Sequence, residues 1–91
     1  MDSNQIIVND YIKKNNNILF SLSYCPWCHK EKNLLEHKKI SFKFIEVDTH
    51  NNKHKLNDIL KNMTGSTSYP KIYLDNHFIG GYNDLEKSLN N

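Results

Sequence analysis

The chain has two cysteines, and they occupy the ends of the motif Cys25-Pro26-Trp27-Cys28. The motif follows an apolar run at 18–22 and precedes a helical pattern, so we expect a strand that leads into a helix with Cys25 at its N-terminus. Proline suits the first turn of a helix because its missing N–H would lack a partner there. Unpaired amides and the positive end of the helix dipole favour anionic sulfur, which predicts that Cys25 is the more reactive thiol. Cys28 lies about one turn further on, so the pair can form a reversible dithiol/disulfide centre.

Size, charge and cysteine usage narrow the class of protein. With 91 residues the chain is long enough for a modest core, and we expect a single domain over residues 1–91. A net charge of +2 is too small to predict nucleic-acid binding. No long apolar segment opens the chain, so neither a signal peptide nor a membrane span is predicted. Two cysteines in one C-x-x-C pair are typical of redox chemistry or metal binding in a reducing compartment, and we therefore expect a cytoplasmic protein.

The hydrophobic pattern predicts alternating helices and strands. The run at 18–22 is nearly continuously apolar, which favours a central strand. Helices are predicted over 4–14, 26–38, 52–63 and after Gly80-Gly81, and strands over 18–22, 42–47, 71–74 and 78–79. This order, α-β-α-β-α-β-β-α, predicts an α/β fold in which helices sandwich a small mixed four-stranded sheet. Its first β-α-β unit should be parallel and its last hairpin antiparallel.

Local signals predict the ends and faces of some helices. The best amphipathic pattern is predicted to be core and comprises Leu56, Ile59, Leu60 and Met63. Gly65 follows this helix as a stop signal. Asn83 is a candidate N-cap of the last helix because Glu86 stands three residues later.

Three separated motifs resemble those of the glutaredoxin family. Residues 20–28, F-S-L-S-Y-C-P-W-C, resemble the family's F-S-K-x-x-C-P-Y-C segment. Thr64-Gly65 followed by Ser68-Tyr69-Pro70 resembles its T-G…T-V-P loop, and residues 80–85, G-G-Y-N-D-L, resemble its G-G-x-x-D-L segment. The motifs occur in the family's order and cover nearly the whole chain. The resemblance implies a thioredoxin fold with a dithiol active site.

The resemblance also implies a groove for the tripeptide glutathione, which would serve as reductant. A cis bond is expected before Pro70, leaving the preceding backbone free to pair with an extended ligand. The helix-start amides of Asn83 and Asp84 would hold the α-carboxylate of the γ-glutamyl unit, and the Asp84 carboxylate its ammonium. The residues implied to bind glutathione are Tyr24, Trp27, Ser68, Tyr69, Pro70, Gly81, Asn83 and Asp84. Tyr24 and Trp27 can either shape this groove or shield the sulfurs.

This chain departs from the family pattern at the other end of the ligand. Leu22 stands where the family usually has lysine, and Ser66 and Thr67 stand where it often has glutamine and arginine. Both departures remove partners for the glycine carboxylate, so we expect weaker or altered glutathione binding. Tyr69, in place of a smaller valine, is expected to narrow or redirect the groove. The candidates to replace the lost contacts are Lys30, Lys71 and the Thr67 hydroxyl.

The resemblance implies a glutathione-dependent thiol–disulfide oxidoreductase, with Cys25 as nucleophile and Cys28 as resolving thiol. Its expected partners are glutathione and disulfide-bonded or glutathionylated proteins, with no nucleic acid or membrane, and the chain is expected to be a monomer. One alternative is a dedicated electron donor to a specific partner such as ribonucleotide reductase. Another is a metal or iron–sulfur module, because Cys25-x2-Cys28 with His50-x3-His54 imitates a zinc site. Pro26 commits the cysteines to a helix start, so no metal is expected.

Overall fold

The order of helices and strands is the one that the hydrophobic pattern predicts. The structure, a computed structural model, describes residues 3–90, so Met1, Asp2 and Asn91 of the predicted 1–91 domain lie outside the described residues. The elements are α1 (Ser3–Lys14), β1 (Asn17–Ser21), α2 (Pro26–His37), β2 (Lys43–Glu46), a 3-10 helix (Val47–Thr49), α3 (Lys53–Thr64), β3 (Lys71–Leu74), β4 (His77–Gly80) and α4 (Tyr82–Asn90).

The strands form one mixed sheet in the order β2-β1-β3-β4. β1 and β2 pair in parallel, with Ile18 opposite Lys43 and Ser21 opposite Glu46. β3 runs antiparallel to both β1 and β4. The predicted parallel unit, central β1 and antiparallel hairpin are therefore confirmed. Because β1 and β2 are parallel, their carboxyl ends meet at one edge of the sheet, and the cysteine motif follows β1 at that edge.

Helices cover both faces of the sheet, and the alternation of β1 side chains divides the core into two clusters. Ile18 and Phe20 point to one face, and Leu19 points to the other. The first cluster contains Val8, Ile18, Phe20, Val47, Leu56, Ile59, Leu60 and Tyr73. The second contains Leu19, Leu35, Ile72 and Leu85. The second cluster supports α2, which begins within the cysteine motif, and α4, which follows the double-glycine motif.

Met63 and Val47 differ from the predicted pattern. Met63 was predicted to be core but is 40% exposed. It lies in the last turn of α3, against the first turns of α1, where Gln5 Nε2 donates a hydrogen bond to its sulfur at 3.3 Å. Val47 was predicted to end a strand but begins the 3-10 helix, in which the Thr49 hydroxyl donates to the Glu46 carbonyl at 3.1 Å.

Residues with positive φ end helix α3 and form the turn between β3 and β4. Gly65 ends α3 with φ of 73° and donates its N–H to the Lys61 carbonyl at 2.8 Å, so the predicted stop is confirmed. The β3–β4 hairpin turns on Asp75 and Asn76, both with positive φ, whereas His77 belongs to β4. Two consecutive residues of this kind match the twist of a tight hairpin, which makes the turn one residue shorter than predicted.

Candidate active site

Cys25 is the N-cap of α2, as predicted. Its backbone is extended, with φ of −93° and ψ of 113°, and Pro26 occupies the first helical turn. The Cys28 N–H donates to Cys25 Sγ at 3.2 Å, and the His29 N–H closes the first turn on the Cys25 carbonyl at 3.2 Å. A backbone donor and the positive end of a helix both favour anionic sulfur. Cys25 is also partly exposed, so its sulfur is accessible to a substrate.

Cys28 lies in a different environment although it belongs to the same helical turn. Its side chain is fully buried, at 0% exposure. Burial, together with the hydrogen bond to Cys25, raises the pKa of the Cys28 thiol to about 12. Both cysteines are free thiols. The accessible sulfur at position 25 is therefore suited to attack a substrate, and the buried sulfur at position 28 is suited to an intramolecular step.

The loop between β1 and α2 is held in place by polar contacts from outside it. The Ser23 N–H donates to the Asp48 carboxylate at 2.8 Å, and the Ser23 hydroxyl donates to the same carboxylate. These two hydrogen bonds lower the pKa of Asp48. His29 Nε2 contacts the Ser23 carbonyl at 3.1 Å, and the Cys25 N–H donates to the Leu22 carbonyl at 3.2 Å. The contacts fix the path of the chain into Cys25.

The loop before β3 brings the second motif to the cysteine. The Tyr69–Pro70 bond is cis, as expected. The Cys25 thiol lies 4.0 Å from the Tyr69 carbonyl oxygen, at the long limit for a sulfur hydrogen bond. A Cβ placed on Gly81 would meet the Pro70 carbonyl oxygen of the same loop at 3.5 Å. The three sequence motifs therefore converge around this loop.

Contacts of the Lys71 and Tyr69 side chains hold the cis-proline loop in place. Lys71 Nζ donates to the Ser68 carbonyl and lies 3.8 Å from the centre of the Tyr69 ring. The Tyr69 hydroxyl donates to Asn57 Oδ1 at 2.9 Å. Burial lowers the pKa of Lys71 to about 8 and raises the pKa of Tyr69 to about 12. Because the Lys71 ammonium is buried and engaged, it does not replace the family's missing lysine in the groove.

The N-terminus of α4 differs from the prediction in its cap. Helix α4 begins at Tyr82, so Asn83 lies inside the first turn and the predicted Asn83 N-cap is wrong. Gly81 occupies the cap, since its carbonyl accepts the Leu85 N–H at 3.0 Å and its N–H donates to Asp84 Oδ2 at 3.1 Å. The Asp84 carboxylate reaches back to this cap from the third helical position, as in a capping box. The amides of Asn83 and Asp84 nonetheless remain at the helix start, where intrahelical acceptors are lacking.

Two aromatic side chains border the reactive sulfur. Tyr24 is 72% exposed and lines a cleft beside the cis-proline loop. Trp27 is 49% exposed and packs against Tyr82 at a centroid distance of 5.4 Å, with Lys30 Nζ 4.4 Å from the Trp27 ring centre. The Tyr24 side chain lies at the cleft, and the Trp27 ring lies against Tyr82 of α4. This geometry favours groove shaping over shielding, and it keeps the Lys30 ammonium at Trp27.

The cleft holds about 280 Å³ and includes residues that sequence reasoning missed. It is lined by Leu22, Tyr24, Val47, Asp48, Lys53, His54, Asn57, Thr67 and Tyr69. Of the proposed replacements for the lost basic contacts, Thr67 alone lines this cleft, and Lys53 and His54 add cationic or polar groups from the start of α3. The sequence did not predict that Lys53 and His54 line the cleft, because no local pattern indicates which turn of α3 faces the loop that contains Cys25. The position of Asp48 near the site could have been predicted, because Asp48 follows the strand that is parallel to β1.

A carboxyl group buried beneath the site was also missed. Glu31 is fully buried, at 0% exposure, and within residues 3–90 neither carboxyl oxygen has a hydrogen-bond partner. Burial, with a smaller contribution from Asp84, raises the pKa of Glu31 to about 8. Helical spacing could have revealed it, because Cys28, Glu31 and Leu35 fall at i, i+3 and i+7 and are the buried residues of α2.

The alternative of a metal site finds no ligand cluster in the part of the chain that is described. No group of three or more His, Cys, Asp or Glu residues in residues 3–90 is placed to hold a metal ion. His50 Nδ1 accepts the Asn52 N–H at 3.1 Å, and His54 lines the cleft. Among the described residues, no helix is both long enough and apolar enough to span a bilayer.

Comparison with known proteins identifies the family. A family model of glutaredoxins matches residues 17–79. The chain belongs to the glutaredoxin family. Glutaredoxin-2 of Schizosaccharomyces pombe is 35% identical over 80 residues, covering 88% of this chain and 73% of that protein. Mitochondrial glutaredoxin-2 of Bos taurus is 30% identical over 80 residues, covering 88% of this chain and 51% of that protein.

Solved structures confirm the glutaredoxin form of the thioredoxin fold. The crystal structure of a buckwheat glutaredoxin–glutathione complex has a TM-score of 0.92 at 21% sequence identity, covering 96% of this chain and 79% of that chain.

Several relatives of this glutaredoxin chain are longer than it is. It spans 55%, 51% and 65% of the lengths of three curated relatives, from Caenorhabditis elegans, Bos taurus and Oryza sativa.

Proposed function

We propose that this chain is a glutathione-dependent thiol–disulfide oxidoreductase that reduces glutathione mixed disulfides and protein disulfides. The observation that carries the proposal is the setting of Cys25. Its sulfur caps a helix, accepts the Cys28 N–H at 3.2 Å and lies 4.0 Å from the Tyr69 carbonyl of the cis-proline loop. An accessible cysteine sulfur is thereby placed next to the backbone of the cis-proline loop, which is the combination that capture of a glutathionyl group requires.

The glutathione route needs only the accessible cysteine. The Cys25 thiolate attacks the glutathione sulfur of a mixed disulfide, so that a Cys25–glutathione bond forms and the substrate leaves as a thiolate. A second glutathione thiolate then attacks the glutathione sulfur on Cys25. Glutathione disulfide forms from this glutathione and the glutathionyl group of the substrate, and the Cys25 thiolate is restored, so one glutathione is consumed for each mixed disulfide reduced.

The dithiol route also needs the buried cysteine. Cys25 attacks a protein disulfide and forms a mixed disulfide with one substrate sulfur. Cys28 then attacks Cys25 Sγ, which releases the second substrate thiolate and leaves a Cys25–Cys28 disulfide. Position supports this role, because Cys28 lies one helical turn away and its backbone already contacts Cys25 Sγ.

Two features support glutathione as the ligand. The buckwheat glutaredoxin that shares this fold forms a complex with glutathione. In this chain the cis-proline loop lies beside the N-terminus of α4, where the amides of Asn83 and Asp84 suit the α-carboxylate of a γ-glutamyl group. The Asp84 carboxylate lies at the same place and suits the accompanying ammonium.

A glutathione-coupled assay on wild type, Cys25→Ser and Cys28→Ser tests the proposal. With a small glutathione mixed disulfide as substrate, Cys25→Ser should lose all activity and Cys28→Ser should keep it. With a protein disulfide, both variants should be inactive. Activity in Cys25→Ser would refute the assignment of the nucleophile, and absence of activity in wild type with glutathione would refute the proposed function.

Protein disulfides are proposed as the second class of substrate, and a protein such as ribonucleotide reductase is one candidate partner. Exposed Tyr24 and Trp27 beside Cys25 support docking of a protein, since aromatic side chains are enriched at protein interfaces. Activity on a single protein disulfide, with poor turnover of small glutathione disulfides, would favour a dedicated donor. We also propose that the chain acts as a monomer. We propose a reducing compartment such as the cytoplasm, because the proposed activity requires the cysteine pair in its reduced form.

A further inference from the structure

Glu31 is a buried ionisable group that the two routes above do not use. It lies on α2 at 0% exposure, and within residues 3–90 both of its carboxyl oxygens lack a hydrogen-bond partner. Burying a polar group without a partner is unfavourable. A partnerless carboxyl in a well-packed core therefore requires an explanation, and its surroundings provide one.

The helix places Glu31 next to Cys28. The two residues are three apart, so they are neighbours on the same buried face of α2, although no hydrogen bond joins their side chains in the reduced protein. Helical side chains lean toward the N-terminus, which directs the Glu31 side chain over the turn that holds Cys28. The two groups also interact electrostatically. From the other packed elements, Asp84 of α4 acts on Glu31. Cys28 interacts electrostatically with Cys25, with Lys71 of β3 and with Tyr69 of the cis-proline loop.

Cys28 must lose a proton before it can resolve a mixed disulfide, because the thiolate is the nucleophile. Burial raises the pKa of the Cys28 thiol, so only a small fraction of Cys28 thiols would be ionised at pH 7. The carboxyl of Glu31, with a pKa of about 8, is a far better proton acceptor than bulk water at the same pH. Transfer of the proton between these neighbours leaves the buried charge unchanged, at one negative charge.

We propose that Glu31 accepts the proton of Cys28 when Cys28 resolves a mixed disulfide on Cys25. The inference rests on the dithiol route proposed above. The Cys28 S–H bond breaks and its proton passes to a Glu31 oxygen; the Cys28 sulfur then bonds to Cys25 Sγ as the Cys25–substrate bond breaks. The substrate sulfur leaves with the electron pair. In the reverse step the departing Cys28 thiolate takes its proton back from Glu31.

The step can be isolated with Ellman's reagent, a chromogenic aromatic disulfide. One equivalent added to reduced protein releases one coloured thiolate as Cys25 attacks and a second as Cys28 resolves the mixed disulfide. Stopped-flow measurement of Glu31→Gln should show an unchanged first phase and a second phase at least about 100-fold slower at pH 7, the lower range of general base catalysis. An unchanged second phase would overturn the proposal.

The pH profile separates proton transfer from a structural role. In wild type the second phase should rise with pH and level off above about pH 8, as Glu31 ionises. In Glu31→Gln it should keep rising by about tenfold per pH unit, because Cys28 must ionise directly. A second phase slowed equally at every pH would show that Glu31 only positions the helix and would overturn the proposal.

Two further variants act as controls. Glu31→Leu should slow the second phase as Glu31→Gln does while raising the Tm, because it removes a partnerless carboxyl from the core. Glu36→Gln changes an exposed glutamate of the same helix and should leave both phases unchanged. Failure of the proposed function would appear separately, as absence of glutathione-coupled turnover in wild type, and would leave the second phase measurable.

Discussion

The two sides of Cys25 differ in the chemical groups that they present, which are mainly backbone groups on one side and side chains on the other. On the α4 side, the proposed ligand-binding groups are backbone amides and carbonyls of the cis-proline loop and the helix start, next to Gly80-Gly81. On the cleft side, they are side chains of Asp48, Lys53, His54 and Thr67. The α4 side keeps the family's motif, whereas the cleft side has lost its lysine at position 22. Backbone groups are retained under most substitutions, whereas a side-chain contact is lost when its residue changes.

The difference also has an energetic consequence. Amides at a helix start are fixed before the ligand arrives, so binding there costs little ordering entropy. Long charged side chains such as Lys53 are exposed, and ion pairs of that kind contribute only about 0–1 kcal/mol. We therefore expect the α4 side to supply most of the affinity for glutathione and the cleft side to tune the choice of substrate.

Loss of charge on the α4 side should have the largest effect on ligand binding. Asp84→Asn keeps an oxygen that can accept the Gly81 N–H but removes the carboxylate. A charge-assisted hydrogen bond to the ligand ammonium is worth about 1.5 kcal/mol at an exposed site, so KM for a glutathionylated substrate should rise about tenfold with kcat little changed. Steady-state kinetics check this, and an unchanged KM would place the γ-glutamyl group elsewhere.

Gly80→Ala should disturb the same side through the backbone. Gly80 has φ of 129°, and a Cβ there would collide with the Asp84 carboxylate. We expect a loss of about 1–3 kcal/mol in the free energy of unfolding, together with a raised KM. Gly65→Ala is the control, since Gly65 also has a positive φ but a Cβ there meets nothing within 4 Å. It should lower stability without changing KM; equal effects on KM would contradict the specific role of Gly80.

Restoring a cation on the cleft side should have a smaller effect. In Leu22→Lys the aliphatic stem can keep its packing while the ammonium reaches the cleft. Because the new pair is solvent-exposed, KM should fall by no more than about fivefold, which corresponds to about 1 kcal/mol. Lys30→Ala serves as the control, because the Lys30 ammonium lies over Trp27, and it should leave KM unchanged. A hundredfold gain from Leu22→Lys would mean that the cleft side dominates affinity.

The smallest effect is expected at the anchor of the cysteine loop. Asp48 has a lowered pKa because Ser23 donates to it twice, so its contribution to folding is present above its unfolded pKa and is lost as pH falls through the lower, folded value. Asp48→Ala should therefore be destabilised relative to wild type at pH 7, and the difference should shrink in acid, below about pH 4. Urea unfolding over this pH range measures it. Additivity with Ser23→Ala would show that the two residues do not act together.

Local sequence patterns predicted much of the fold and part of the candidate site. Element order and the cysteine helix start were correctly predicted, because hydrophobic period, proline placement and stop glycines act over a few residues. The cap of α4 was mispredicted because two overlapping capping patterns compete, and the Asp84 carboxylate bonds Gly81 rather than leaving the cap to Asn83. Met63 was mispredicted because periodicity defines a helix face without saying where the sheet beneath it ends.

Local sequence was enough to specify a helix-capping cysteine, a second cysteine one turn away and a glycine-led helix start, since each depends on backbone chemistry within one turn. Packing alone decided that Glu31 would lie partnerless in the core, that Lys71 would be engaged beneath the cis-proline loop, and that α3 would bring Lys53 to the cleft. These outcomes depend on contacts between elements distant in the chain. Burial and solvent screening, which set the charge behaviour of side chains, exist only after those elements have packed.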